Sequence, residues 1–234
     1  EELRTVILER AARTLGVAED LLELVPDGVR LLGHEEKALT LAEIAERGRV
    51  LVDGPIQGRA SFLADMPSWD TDACRGLTYP SFLAPSFSAQ AVRVRVDRQT
   101  GQVRVLEAAA AMDVGRAINP MAVEGQLEGG FAMGMGYGLL EEVKMREGVV
   151  INPNFLDYKL PTAVDMPVVK PIIVEEPSIT GVHGVKGVGE PPASLPAAAI
   201  ANAVDDAVGA RLMRVPLTQE TVLDALDAAG TTGS

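Results

Sequence analysis

The spacing of apolar residues predicts helices and a short strand over the first fifty residues. Apolar side chains recur at helical intervals over residues 1–15, which predicts an opening helix. A strand is predicted around Val29–Leu32, after a turn. The stretch Thr40–Glu43 has the spacing of a capping box, so a second helix should begin there and end near Gly48.

Further along, the apolar pattern changes from helical spacing to alternation. Valines and arginines alternate over residues 91–96, which predicts a half-buried strand. A turn over 97–101 and a second strand over 102–111 complete a hairpin. A second hairpin is predicted over 142–151, with its turn at Arg146–Gly148, and residues 168–175 again have a strand-like composition.

The longest predicted helix contains an unusual number of glycines. Asn119 and Pro120 are a suitable cap and first residue for a helix running from Met121 to about Leu140. Six glycines interrupt it, at positions 125, 129, 130, 134, 136 and 138. Each costs about 1 kcal/mol relative to alanine in a helix interior. We therefore expect another backbone or a ligand to pack very closely against this helix.

Two more helices are predicted near the end of the chain. The apolar run Ala197–Val208 is followed by Gly209, which suits a residue that terminates a helix, and Thr218 should cap a final amphipathic helix. Together the elements predict an α+β fold, with antiparallel hairpins and a mixed sheet packed against helices.

Changes in composition predict four segments. We expect a small helical and strand portion over residues 1–57, a core over 91–229 and a disordered tail over 230–234. Between the first two lies a loop-rich interface segment, 58–90, rich in Pro, Ser, Asp and Gly. Its tryptophan, Trp69, could anchor a partner subunit or simply cover the local core.

Charge and cysteine content narrow the classes of partner. The formal net charge of −12 argues against nucleic acid and anionic lipid, and favours small substrates or other protein subunits. A single cysteine, Cys74, permits no internal disulfide and makes a cytoplasmic location the default. It also cannot hold an iron–sulfur cluster, which needs about four cysteines. No apolar run approaches the length of a membrane span, roughly 20 residues.

The clearest candidate for chemistry is Glu190, which follows two glycines and precedes two prolines. Glycine lets a backbone approach a bulky ligand, and proline makes the chain rigid just beyond the carboxylate. A carboxylate held in this way could act as a positioned base. The alternative is an ordinary turn between a strand and a helix, with an exposed glutamate.

Four stretches resemble a known family, in the order in which that family has them. They are V-R-V-D-R-Q-T-G (94–101), M-D-V-G-R-A-I-N-P-M-A-V-E-G-Q-L-E-G-G (112–130), N-F-L-D-Y-K-L-P-T-A-V-D-M-P (154–167) and K-G-V-G-E-P-P (186–192). All four are similar to segments of the xanthine dehydrogenase and aldehyde oxidase family of molybdenum hydroxylases. They resemble the C-terminal part of its large, molybdopterin-binding subunit.

The resemblance implies specific site residues. Glu190 would be the general base beside a molybdenum ion held by a pterin, and the side-chain amide of Gln126 would reach the pterin. Lys186, Gly187, Val188 and Gly189 would wrap the metal end of the cofactor, largely through the backbone. The implied reaction is oxidative hydroxylation of an aldehyde or of a purine-like N-heterocycle carbon, with oxygen derived from water.

The resemblance also implies cofactors and partners outside this chain. The cofactor would be molybdenum–molybdopterin, in the cytosine dinucleotide form by analogy with bacterial members. Iron–sulfur clusters and FAD would lie on partner chains or domains. The N-terminal portion of the molybdenum subunit would complete the site, so the isolated chain should be inactive. The alternative is a cofactor-free module that retains the fold and only binds partner subunits.

Three polar residues within the matching stretches, Asp113, Asn119 and Asp157, are interpreted as structural, capping or turn residues. The two histidines, His34 and His183, are far apart in the sequence and have no metal-ligand spacing. We therefore expect no histidine-based metal site.

Overall fold

A computed structural model describes residues 2–36, 38–50, 54–62 and 84–230. The chain divides into two compact units, residues 1–63 and 64–234. The predicted interface segment falls largely on residues 63–83, which include Trp69 and Cys74 and lie outside the described residues. Positions 231–234 also lie outside them. The four-segment division therefore stays a prediction.

The first unit packs two helices with a small antiparallel sheet. Its elements are α1 (Glu2–Leu15), a 3-10 turn (Glu19–Leu21), β1 (Leu22–Val25), β2 (Gly28–Leu31), β3 (Leu39–Thr40) and α2 (Leu41–Val50). The sheet order is β1-β2-β3. The buried core includes Ile7, Ala11, Val29 and Ile44. Helix α1 packs here because its apolar residues share one face.

The capping box predicted at Thr40 is present. The Thr40 amide donates to Glu43 Oε2 at 2.8 Å, and the Glu43 amide donates to Thr40 Oγ1 at 3.2 Å. Strand β1 was missed by the sequence reasoning, although Leu22–Val25 precedes a turn. It pairs with β2 in a hairpin whose connection is Pro26-Asp27, and Asp27 has a positive φ of 63°.

The second unit is built on a mixed three-stranded sheet. Its elements are β4 (Ser88–Val96), β5 (Val103–Asp113), α3 (Pro120–Leu139), β6 (Met145–Arg146), β7 (Val149–Val150), β8 (Val168–Val174), α4 (Pro196–Val208) and α5 (Gln219–Ala228). The order is β4-β5-β8, with β5 antiparallel to β4 and parallel to β8. The predicted α+β class with a mixed sheet is confirmed.

Two apolar clusters fix the helices on this sheet. The larger one joins β5 to α3, α4 and α5 and contains Val105, Phe131, Met135, Ile200, Val204, Val222 and Leu226. A smaller cluster, Met112, Val114, Val123 and Leu127, lies where β5 ends and α3 begins. The half-buried Val188 packs against this second cluster. The end of β5 therefore supports the loop that carries Glu190.

The predicted helix ends of the second unit are confirmed. The Ala122 amide donates to Asn119 Oδ1 at 3.1 Å, and the Thr221 amide donates to Thr218 Oγ1 at 3.2 Å. Gly209 ends α4 in the left-handed conformation, with φ 69°. These caps form because the side chain and the free amide are close neighbours in the sequence.

The second hairpin is shorter than predicted, and its turn is narrower. Strands β6 and β7 have two residues each, and Arg146 belongs to a strand rather than to the turn. The turn is Glu147-Gly148, both with positive φ, as tight hairpin connections require. Outside the strands, the Asn152 side chain accepts from the Lys144 amide at 2.8 Å.

Every helix in the described part of the chain is too short or too polar to span a membrane.

Candidate functional site

The loop after β8 is fastened to the residues that follow β5. The Gly184 carbonyl accepts hydrogen bonds from the amides of Arg116 and Ser178, each at 3.0 Å. Two residues later, the Lys186 amide donates to the Val114 carbonyl at 3.0 Å. These bonds are possible because β5 and β8 are parallel neighbours and end at the same edge of the sheet.

A buried ion pair reinforces this connection. Lys186 Nζ donates to Asp113 Oδ2 at 2.5 Å, and each side chain is only 9% exposed. The other oxygen of Asp113 accepts from the Gly115 amide at 2.9 Å. Burial alone would raise the pKa of the Asp113 carboxyl. The hydrogen bond and the charge of Lys186, with backbone hydrogen bonds from Gly115 and Glu176, together hold that pKa below its usual value.

This pair could not be found from the sequence, because its members are 73 positions apart. Asp113 was interpreted as structural, and its bond to the Gly115 amide agrees with that. Lys186 was predicted to contact a cofactor. The structure shows its ammonium group bonded to Asp113 and its side chain largely buried, and its contact with a cofactor stays a prediction.

After Lys186 the chain becomes exposed. Gly187, Gly189 and Glu190 are exposed, and a Cβ added at Gly187 would meet nothing within 4 Å. The Ser86 hydroxyl donates to the Gly187 carbonyl at 3.1 Å. Glu190 directly precedes the 3-10 turn Pro191–Ala193, and its carbonyl accepts from the Ala193 amide at 2.9 Å. Its exposed carboxylate therefore stands at the start of a rigid turn.

One row of α3 glycines packs against the chain just beyond Glu190. A Cβ at Gly130 would lie 2.5 Å from Pro192 Cβ, one at Gly134 would lie 2.5 Å from the Ala193 carbonyl oxygen, and one at Gly138 would lie 3.1 Å from Ala197 Cα. These glycines are four residues apart and so share one helix face. The predicted close packing of another backbone is thus confirmed for this face.

The glycines at 125 and 129 behave differently. A Cβ at either position would meet nothing within 4 Å. Between them, Gln126 is exposed, and its Oε1 lies 3.5 Å from where a Cβ at Gly189 would be. The fold thus brings Gln126 and the glycine loop together, as a shared site requires.

A second side chain that supports the loop was also missed by sequence reasoning. Gln90 on β4 donates from Nε2 to the Pro192 carbonyl at 2.8 Å, across 102 positions of sequence. Its Oε1 is buried and has no hydrogen-bond partner within the described residues. No local sequence signal distinguishes this glutamine from its neighbours on the strand.

The remaining candidates lie outside this arrangement or have local roles. Asn119 caps α3, and Asp157 donates its amide to the Asn154 carbonyl in a turn. His183, with a positive φ of 54°, lies in the loop before Gly184, whereas His34 belongs to the first unit. Over residues 2–36, 38–50, 54–62 and 84–230, no three His, Cys, Asp or Glu side chains gather as a metal site would require.

These contacts define two sides of the site. We call the closed side the part in direct contact with the fold, namely the Asp113–Lys186 pair, Gly130, Gly134, Gly138 and Pro192. We call the open side the exposed part, namely Gly125, Gln126, Gly129, Gly187, Gly189 and Glu190. The open side offers an amide, a carboxylate and glycine backbone to a bulky polar ligand.

Comparisons with known proteins identify the family of this chain. The family described as "Molybdopterin cofactor-binding domain" matches residues 1–167. A probable xanthine dehydrogenase subunit of Bacillus subtilis (strain 168) is 35% identical over 224 residues, 95% of this chain and 28% of that protein. The aldehyde oxidoreductase of Megalodesulfovibrio gigas is 35% identical over 160 residues, 67% of this chain and 17% of that protein.

A solved structure supports the same relationship. The quinoline 2-oxidoreductase of Pseudomonas putida 86 superposes with a TM-score of 0.70 and 28% sequence identity, covering 97% of this chain and 28% of that one. The matched part of the chain therefore spans between 17% and 28% of the length of these relatives. The resemblance found in the motifs is confirmed: the chain belongs to the molybdopterin cofactor-binding domain family, among relatives that are molybdenum-dependent oxidoreductases.

Proposed function

We propose that this chain is the C-terminal part of the cofactor-binding subunit of a molybdenum hydroxylase, and that Glu190 is the general base of its reaction. One observation carries the proposal. Glu190 presents an exposed carboxylate at the end of an exposed glycine loop whose Gly189 lies beside the Gln126 amide.

The residues on the open side fit a molybdopterin. Glycine has no side chain, so the backbone at Gly125, Gly129, Gly187 and Gly189 is accessible to a large flat ligand. Gln126 supplies both a donor and an acceptor for the edge of a pterin ring. The backbone of Gly187, Val188 and Gly189 would contact the metal end of the cofactor. Lys186 would hold the start of this loop.

When bound, the cofactor supplies a Lewis-acidic metal and a redox centre that accepts electrons from the substrate. Within this chain, Glu190 accepts the proton that is released as water-derived oxygen enters the product. A general base must lie within hydrogen-bond reach of that proton. Since Glu190 is exposed here, the rest of the subunit would have to cover it to exclude bulk water from the reaction.

The substrate we propose is an aldehyde or an N-heterocycle, attacked at an electrophilic carbon. The relatives are named for xanthine, aldehyde and quinoline substrates, all of which fit this class. The remaining portion of the subunit would complete the substrate pocket. We further propose that the enzyme is cytoplasmic and that its pterin is in the cytosine dinucleotide form. Its iron–sulfur clusters and FAD would lie on partner subunits.

The test is the substitution Glu190→Gln in the complete enzyme. Glutamine keeps the size of the side chain but accepts no proton at this position, so we expect kcat to fall by about 10²- to 10⁴-fold, the usual contribution of a general base. Molybdenum content, measured by mass spectrometry, should not change.

The matched control is Glu220→Gln, an exposed glutamate in the first turn of α5. It should leave kcat within a factor of two of the wild type, and the same small effect for Glu190→Gln would exclude a role as base. If the purified native complex contains neither molybdenum nor pterin, the alternative of a cofactor-free interaction module would replace this proposal.

A further inference from the structure

Lys186 stands at the boundary between the fastened and the exposed parts of the loop. Its amide is bonded to the Val114 carbonyl, and its ammonium to Asp113. The next residue, Gly187, is exposed, and four positions separate Lys186 from Glu190. Lys186 therefore fixes the first residue of the segment that carries the carboxylate, beside the Ser86–Gly187 hydrogen bond and the packing of Val188.

The path of the Lys186 side chain is fixed by the backbone around Gly115. Gly115 has a positive φ of 67°, and a Cβ there would lie 2.9 Å from Lys186 Cγ. The aliphatic part of Lys186 thus passes over a residue that has no side chain, and its charged end meets Asp113 at the end of β5. This geometry leaves little freedom for either partner, since each side chain is only 9% exposed.

A buried ion pair is a costly way to stabilise a fold. Removing two charges from water offsets most of their attraction, and a well-packed apolar pair often serves stability equally well. An ion pair differs from apolar packing because it defines direction and distance. Because Lys186 lies four positions before Glu190, its ion pair with Asp113 is suited to fixing the position of the loop.

We propose that Asp113 is a positioning residue, which holds Lys186 and thereby sets the place of the segment Gly187–Glu190; this rests on the proposed function of Glu190. Asp113 lies behind the loop on the closed side, and it acts on the site through Lys186. In turn, the Lys186 ammonium donates to Asp113, so that its charge is paired behind the loop.

The test compares three variants of the complete enzyme: Asp113→Asn, Lys186→Met and the double variant. Asparagine can still accept from the Gly115 amide but carries no charge for Lys186. A misplacement of about 1 Å can cost on the order of 100-fold in rate, so we expect kcat to fall between about 10- and 100-fold in Asp113→Asn. Molybdenum content should stay at the wild-type level.

A second readout is independent of activity. Trypsin cleaves after lysine, and the Lys186 side chain is protected by its burial against Asp113. We expect Asp113→Asn to accelerate cleavage between Lys186 and Gly187, seen by mass spectrometry, in enzyme with or without cofactor. Glu107→Gln is the matched control, because Glu107 lies on β5 like Asp113 but forms an exposed ion pair, with Arg93 of β4. It should change neither cleavage after Lys186 nor kcat.

The double variant separates positioning from stability. It leaves no unpaired buried charge, so its melting temperature should return toward that of the wild type, while kcat should stay at least about tenfold lower if the pair positions Glu190. Recovery of both quantities would show a purely structural pair and overturn the proposal. Should Asp113→Asn fail to fold, the double variant alone decides the matter on the same criterion.

The outcome is also separable from that of the proposed function. If Glu190→Gln is inactive while Asp113→Asn has wild-type kcat and cleavage, only the positioning role is overturned. If Glu190→Gln is fully active, the proposed function fails, and with it the catalytic part of this inference. Trypsin cleavage would then still report whether Asp113 holds the loop.

Discussion

The closed and open sides of the site use the same residue type for opposite purposes. On the closed side, Gly130 and Gly134 let the backbone of α3 approach Pro192 and Ala193 so closely that a methyl group would collide. On the open side, Gly125 and Gly129 belong to the same helix, yet nothing lies within 4 Å of an added Cβ.

The difference teaches what each glycine does. A glycine in contact with another backbone contributes to the stability of the fold, since its helix-propensity cost is offset by packing. Gly125 and Gly129 bear the same cost, and no packing against the described residues offsets it. This is expected of a surface that another molecule covers, which agrees with a cofactor lying against Gln126 and the glycine loop.

The largest effect on stability is expected for Gly134→Ala. The added methyl would lie 2.5 Å from both the Ala193 carbonyl oxygen and Pro196 Cγ, and neither the backbone nor a proline ring can move aside easily. Overpacking of this kind costs about 1–3 kcal/mol. We expect a clear drop in the melting temperature of the enzyme. An unchanged melting temperature would show that the closed side is not tightly packed.

An intermediate effect is expected from acid, through the Asp113 carboxyl on the closed side. Its pKa in the folded protein lies below the ordinary value of 3.8, which it should have in the unfolded chain. The ionised form thus stabilises the fold fully above pH 3.8, and this contribution is lost as the pH falls through the lower, folded-state pKa.

The measurement is the free energy of unfolding as a function of pH for the wild type and for Asp113→Asn. The difference between the two should be constant above about pH 5 and should shrink below pH 3.8. A difference that is the same at about pH 3 and about pH 6 would contradict the role of the charged carboxylate.

The smallest effect on stability is expected for Gly129→Ala, the matched control for Gly134→Ala on the same helix. A methyl at this position meets nothing in the described chain, and alanine favours a helix over glycine by up to about 1 kcal/mol. The melting temperature should therefore stay the same or rise slightly. In the complete enzyme the same methyl should lower molybdenum content, if the cofactor covers the open side.

A loss of stability as large as that of Gly134→Ala would remove the distinction between the two sides. A slight rise in stability with full molybdenum content would keep the distinction but place the cofactor away from Gly129.

Elements set by neighbouring residues could be predicted well. The caps at Thr40, Asn119 and Thr218 each join a side chain to an amide three residues later. Strand β4 was predicted from alternation over residues 91–96, and its burial pattern follows that alternation. The predicted turn was one residue too long, because it included Arg146. Arg146 and Glu147 are both polar, and only the backbone conformation, a positive φ at Glu147, distinguishes the turn residue from the strand residue.

The sequence by itself determined the family, through four ordered motifs, and the identity of the candidate base and of Gln126. Tertiary structure decided which groups surround them. The Asp113–Lys186 pair and the Gln90–Pro192 bond span 73 and 102 positions. They exist only because β5 lies between β4 and β8 and ends beside β8. Such contacts depend on the order of strands in the sheet, whereas a cap or a turn depends only on residues that are already adjacent.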